Sequence, residues 1–275
     1  MRHTLSPVKS PPTNSMPPAY FHALGDGRYL ASRATAGAWN PEQQHIAPVM
    51  GLMAHALERH HGSDQPLQVA RLSFDIFGTV PVGEVGIVVD LPRPGRTIEL
   101  SEVTLTHAGR TIAVMRAWSL MDADTEDLAL TPAENFPAPE ACEPWDAAGI
   151  WQGDFIASLE ARRRCPAPGR AQAWLRTPVA LVDGERTSDF ARYVGLIDVA
   201  NGLTLALDPA AAAYPNVDST VSFFRQPVGE WVGLDVTAYI GPRSVGLTHT
   251  LLYDRAGCVG ALTQTLTIRR TPSTA

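Results

Sequence analysis

Ile46-Ala47-Pro48-Val49-Met50-Gly51-Leu52-Met53-Ala54-His55-Ala56-Leu57-Glu58-Arg59-His60 is the stretch from which the rest of the chain can be read. It lacks the alternation of a half-buried strand and is too long for a buried one, so it predicts a buried helix. Its small residues, Ala47, Gly51, Ala54 and Ala56, allow the helix backbone to lie close against a sheet. The β signals follow at once, at Leu67–Phe77, Glu84–Leu91, Arg96–Thr106 and Arg110–Met121. Turn residues separate them at Pro81-Val82-Gly83, Pro92-Arg93-Pro94-Gly95 and Ala108-Gly109. Before the helix, Arg28–Thr35 reads as a strand and Trp39-Asn40-Pro41 as a loop. A helix this apolar cannot face water on any side, so the strands are expected to curl around it.

The second half of the chain repeats this pattern. Strands are expected at Phe155–Arg162 and Ala171–Leu181, a helix at Ser188–Leu203, then strands at Ser219–Arg225, Trp231–Ile240, Val245–Asp254 and Cys258–Arg269. Pro81-Val82-Gly83-Glu84 recurs as Pro227-Val228-Gly229-Glu230 at an offset of 146 residues. The turn Ala108-Gly109 recurs as Ala256-Gly257 at 148, and the helix glycines Gly51 and Gly195 differ by 144. Three landmarks in one order at nearly one offset indicate a duplicated unit. The fold class is therefore α+β, two helix-wrapped-by-antiparallel-sheet units forming an internal pseudo-dimer, in which each unit covers sheet edges the other would leave open. The units are expected at residues 20–121 and 151–270, with an acidic, Pro- and Ala-rich linker at 122–150. Residues 1–19 read as a disordered, proline-rich tail with no signal-peptide core, and 271–275 as a second tail.

Composition excludes several function classes. The 275 residues carry a net charge of −6, which argues against a duplex-DNA binder, and no apolar run reaches membrane-spanning length. Cys142, Cys165 and Cys258 are odd in number and far apart, forming neither a disulfide framework nor a zinc site. A reducing, cytoplasmic compartment is expected. No Gly-x-Ser-x-Gly occurs, which argues against an α/β-hydrolase, and Gly241 to Gly246 lacks the Lys of a phosphate loop. His55, His60 and His61 do not share a helix face, so no metal site is expected there.

With the duplicated helix-in-sheet pattern in place, several stretches resemble the bacterial branch of the double-hotdog acyl-CoA thioesterase family. In the first half these are Trp39-Asn40-Pro41, Gln44-His45, Arg71-Leu72-Ser73 and the Pro-Val-Gly turn. In the second half they are Trp174-Leu175-Arg176, Val182-Asp183-Gly184-Glu185, Leu196-Ile197-Asp198-Val199-Ala200-Asn201-Gly202-Leu203 and Pro215-Asn216-Val217-Asp218. Phe224-Arg225-Gln226-Pro227-Val228-Gly229-Glu230-Trp231 and Leu262-Thr263-Gln264 complete the set. The resemblance runs from about residue 20 to about residue 270 and implies a tandem double hotdog.

The resemblance also implies a water-activating trio: a helix Asp, a Thr, Ser or Asn before an edge strand, and a Gln on the final strand. Asp198, Asn216 and Gln264 stand at those places. Their first-half equivalents by offset, Ala54 and Arg116 for Asp198 and Gln264, do not repeat the polar pair, as expected of one working site. Asp198 can deprotonate or align a water, or attack directly through an anhydride, while the two amides orient its partner. Burial should raise the Asp198 pKa against the pull of those amides. Substrate contacts are expected from His45, Ile46, Ala47 and Gly51 at the first helix, and from Arg162 and Arg163 to coenzyme A phosphates. The chain departs from the family where Gln44-His45 is followed by Ile46-Ala47-Pro48 instead of a Gly-Gly pair, adding bulk where a thioester carbonyl docks.

The resulting expectation is a cofactor-free hydrolase of acyl-CoA or acyl-carrier-protein thioesters, a homodimer by the resemblance. The alternatives are another enzyme on the same fold, a hydratase or dehydratase (for which Asn40-Pro41 and His45 offer a partial pattern) or a specialised-metabolism enzyme, and a non-catalytic acyl-thioester-binding protein.

Overall fold

A computed structural model describes residues 19–62, 66–132 and 136–271. The first half runs β1 (Ala19–Gly25), β2 (Arg28–Ala31), α1 (Ile46–His61), β3 (Leu67–Ile76), β4 (Glu84–Arg93), β5 (Ile98–His107) and β6 (Arg110–Met121). The second begins with β7 (Glu143–Pro144), α2 (Asp154–Ala157), β8 (Glu160–Ala167), β9 (Arg170–Arg176) and β10 (Ala180–Val182). It continues with α3 (Asp189–Val194), α4 (Ala200–Leu203), β11 (Ala212–Ala213), β12 (Asp218–Phe223), β13 (Val232–Ile240), β14 (Val245–Asp254), β15 (Gly257–Thr267) and β16 (Arg269–Arg270).

Among the described residues, fourteen strands form one sheet in the order β10-β1-β2-β4-β5-β6-β3-β12-β15-β14-β13-β9-β8-β7. The seam is the antiparallel pair β3–β12, with Leu72 opposite Val221. Moving outward from it, β3-β6-β5-β4-β2-β1 on one side matches β12-β15-β14-β13-β9-β8 on the other. This is the α+β internal pseudo-dimer that the repeat predicted. The α1 residues from Ala47 to Leu57 are all buried, which accounts for a helix with so little polar surface.

The two halves also meet helix to helix. A Cβ added to Gly51 would lie 2.8 Å from the Gly195 Cα and 3.1 Å from the Ala191 carbonyl oxygen. These glycines are repeat equivalents facing each other, as residues on the axis of an isologous interface must. Gly51 is thus a packing residue at the pseudo-axis, which corrects its expected place against substrate.

Several local expectations change. The strand expected at Arg28–Thr35 ends at Ala31, and a 3₁₀ turn over Arg33–Thr35 follows, capped by Ser32, whose hydroxyl accepts from the Ala34 N–H. Ala19, placed in the tail, opens β1; the remainder of that tail and residues 272–275 lie outside the described residues. Phe155 belongs to the short α2, and the strand starts only at Glu160. The expected Ala171–Leu181 strand breaks around Pro178, and β10 crosses to pair in parallel with β1. Within the stretch read as a linker, Phe136 stacks on Tyr253 at 4.2 Å and the Trp145 N–H donates to the Ala161 carbonyl at 2.9 Å.

Candidate active site

The expected helix Ser188–Leu203 is interrupted, and the interruption builds the site. Ser188 caps α3 by accepting from the Ala191 N–H, the α-helix stops at Gly195 against α1, and Ile197–Val199 forms a 3₁₀ turn. Asp198 lies on that turn, 2 % exposed. Its backbone carbonyl accepts from the Gln264 Nε2 at 3.2 Å, so one side-chain amide holds both ends of the residue.

Three donors converge on a single Asp198 carboxylate oxygen. Oδ1 accepts from the Asn216 Nδ2 at 2.7 Å, the Gln264 Nε2 at 3.0 Å and the Ser219 hydroxyl at 3.4 Å. Oδ2 takes none of these and faces His45 Nδ1 at 3.8 Å. The amides are themselves held in orientation. The Thr248 hydroxyl donates to Gln264 Oε1 at 2.9 Å, and the Asn201 Nδ2 donates to Asn216 Oδ1 at 3.3 Å. Each amide must then present its NH₂ to Asp198.

Burial pushes the Asp198 carboxyl up from 3.8 to about 6, against the lowering pull of Asn216, Gln264 and Ser219. Burial alone drives His45 down from 6.5 to about 4, so at neutral pH its ring is uncharged and its approach to Asp198 is no ion pair. His45 Nδ1 accepts from the Ala47 N–H at 3.1 Å, which places the ring proton on Nε2. This capping bond uses the Ala47 donor, and Pro48 has none. Ile46 is left as the outermost helix-start N–H without an intrahelical acceptor.

Asp198, Asn216, Asn201, His45 and Ile46 line a cleft of about 570 Å³. It is walled by loop residues Trp39, Gln44, Phe77 and Val217, and by Arg269 and Arg270 of β16. A narrow apolar slot, about 30 Å³, continues behind Trp39 and His45 between Trp145, Trp151, Ile156, Leu159 and Leu175. Trp39 closes over it edge-on to Trp151 at 5.2 Å and Tyr214 at 5.5 Å.

Sequence reasoning named Asp198, Asn216, Gln264, His45 and Ile46, and the structure brings all five together. Ala47 contributes its capped amide and is fully buried. Arg162 and Arg163 do not line the cleft: the former donates to the Cys142 carbonyl at 3.4 Å, the latter to the Leu203 carbonyl at 2.6 Å while covering the Trp145 ring. Ser219, Thr248 and Asn201 were missed. Thr248 lies directly across from Gln264 in the β14–β15 pair, in a register shifted by an irregularity at Leu252–Tyr253 that the sequence does not mark. The first-half comparison also needs a shift in register. Arg116 points to solvent and bonds Glu102 at 2.7 Å, and its inward neighbours are Met115 and Ala117, both fully buried. Nothing polar replaces Gln264 there. His55 pairs with Glu185 and His61 with Glu99, both well away from this cleft.

The family description "Acyl-CoA thioesterase N-terminal domain" matches residues 35–120, and "Acyl-CoA thioesterase C-terminal domain" matches residues 139–268. Among curated proteins, none matches the chain in sequence. The crystal structure of acyl-CoA thioesterase II TesB2 from Mycobacterium marinum is similar in fold, with a TM-score of 0.63 at 16% identity over 92% of this chain and 96% of that one. The tesB protein of Mycobacterium avium subspecies paratuberculosis gives 0.65 at 16% over 90% and 95%. A conserved hot dog protein of unknown function from Alicyclobacillus acidocaldarius gives 0.72 at 13% over 94% and 98%. Matched in both halves and carrying one polar constellation at their junction, the chain belongs to the double-hotdog acyl-CoA thioesterase family.

Proposed function

We propose that the protein hydrolyses acyl-CoA thioesters, with Asp198 as general base and Gln264 and Asn216 holding it in place. The observation that carries this reading is the division of the Asp198 carboxylate into two unlike oxygens. Oδ1 is saturated by three donors, while Oδ2 faces His45 at the cleft. A water docked against Oδ2 gives up a proton as its oxygen bonds the thioester carbon. The C–S bond then breaks, and the proton passes from Asp198 to the departing thiolate. A carboxyl near pH 6 suits a base that must be ionised at neutral pH yet still basic. The Ile46 N–H, with the positive end of α1 behind it, is the donor for the developing oxyanion.

The slot behind Trp39 is the acyl pocket in this reading. Its small volume and indole walls favour short or flat acyl groups while Trp39 is in place. The test is thiol release from short, long, branched and aromatic acyl-CoAs, with Asp198→Asn beside the parent protein. Release should fall by on the order of 10²-fold or more in the variant. A loss under threefold would remove Asp198 from the mechanism. Absence of release from every substrate would favour acyl binding without hydrolysis.

A further inference from the structure

The rim of the cleft carries a cationic pair that sequence reading passed over. Strand β16 is two residues long, Arg269 and Arg270, and pairs with Ala213 and Ala212 of β11. The pairing continues at Thr271, whose N–H donates to the Ala211 carbonyl at 3.0 Å. Both guanidinium groups are on exposed residues and line the same cleft as Asp198. Among the described residues neither makes an ion pair, and the recorded side-chain bond is a long one, Arg269 Nη2 to the Thr267 hydroxyl at 3.4 Å. The chain as a whole is acidic, at −6, yet among the described residues Asp198 is the only carboxylate lining this cleft, and it is buried. Two arginines without an ion pair among the described residues, on a fixed backbone at the mouth of a cleft whose one lining carboxylate among those residues is the buried Asp198, match a phosphorylated ligand.

Exposed apolar side chains lie in the same cleft. Phe77 is 64% exposed and Val217 is 44% exposed. An uncharged arm ending in a phosphate would lay its methylenes on Phe77 and Val217 and its charge on β16.

We propose that Arg269 and Arg270 bind the phosphate groups of a pantetheine-linked substrate, a proposal that rests on the thioesterase reading of the cleft. The shared chemistry is a phosphate at the far end of pantetheine. Its sources are the nucleotide of coenzyme A and the phosphodiester of a carrier-bound arm.

The experiment is calorimetric binding to full-length Asp198→Asn protein, which reads affinity without turnover. Its failure is therefore separable from a failure of the hydrolysis assay. The ligands are coenzyme A, dephospho-coenzyme A, pantetheine 4′-phosphate and pantetheine. Coenzyme A should bind at least about tenfold more tightly than pantetheine, with a preference that shrinks as salt rises from roughly 50 to 500 mM. Adding R269Q/R270Q should reduce that preference to about twofold or less, and R269K/R270K should retain more of it than the glutamines do. A drop on removal of the 3′-phosphate alone assigns the nucleotide. Full affinity in pantetheine 4′-phosphate assigns the carrier-type phosphodiester. Equal binding of coenzyme A and pantetheine by the parent, an unchanged preference in R269Q/R270Q, or equal weakening of both ligands would each overturn the proposal.

Discussion

Asp198→Asn should make the protein more stable at neutral pH while removing its proposed base. The carboxyl is held near pH 6 in the fold against an ordinary value of 3.8. At roughly 1.4 kcal/mol per tenfold, the gap amounts to ~3 kcal/mol. The sign follows from which state holds the proton. Below about pH 4 the group is protonated whether folded or unfolded, and burial carries no ionic penalty. Between 3.8 and about 6 the unfolded chain ionises first, and above that range the fold has lost the full amount. Asparagine escapes this loss: its carbonyl can take the three donors now on Oδ1, and its uncharged NH₂ stands toward the cleft where Oδ2 does. Unfolding of both proteins, by heat and by urea, at pH 4, 6 and 8 checks it. The variant should gain ~2–3 kcal/mol at pH 8, about 5 °C for a chain of this size, with the difference closing toward pH 4. A variant no more stable at pH 8, or a gain equally large at pH 4, would refute the claim that the buried carboxylate destabilises the fold.

Three further outcomes follow from the same geometry. The kcat/KM profile for thioester hydrolysis should fall on the acid side with a midpoint near pH 6, because protonated Asp198 cannot accept a proton; a flat profile down to pH 5 would exclude it as the base. Gly51→Ala should lower stability by about 1–3 kcal/mol in urea unfolding, because the new Cβ would stand 2.8 Å from the Gly195 backbone. Trp39→Ala should raise the ratio of long-chain to short-chain kcat/KM by on the order of tenfold, since the indole that closes the slot on Trp151 and Tyr214 is removed.

The duplication and its order of strands were legible because burial leaves periodic marks: an all-apolar helix, alternating strands and turn residues at repeated spacing. Asp198 was legible through the resemblance to the family's helix Asp, and a carboxylate among Leu196, Ile197, Val199 and Ala200 also demands a partner. What holds the trio was not. Thr248 acts from the neighbouring strand and Asn201 from α4, and their relation to Gln264 and Asn216 exists only once the chain is folded. The arginines show the same limit. Arg162 and Arg163 attract notice as part of a run, but their side chains are spent on the Cys142 and Leu203 carbonyls. Arg269 ends the expected Cys258–Arg269 strand and Arg270 follows it, and neither is marked as a cleft residue until β11 pairs with them there. Phe155 misled because a four-residue helix and a strand start look alike in so short an apolar stretch.

The site draws on both halves: His45 and Ile46 come from one, Asp198, Asn216 and Gln264 from the other. In two separate chains such a cleft would exist only while they were associated, and dilution would empty it. A peptide tether makes the encounter intramolecular, with an effective concentration that does not fall with the protein's own. Specific activity attributable to this cleft should therefore hold constant across dilutions that would dissociate any further assembly of the chain. The tether also releases the two copies from having to match, so Asp198's counterpart in the first half can be a buried alanine, Ala54, without loss to the half that works.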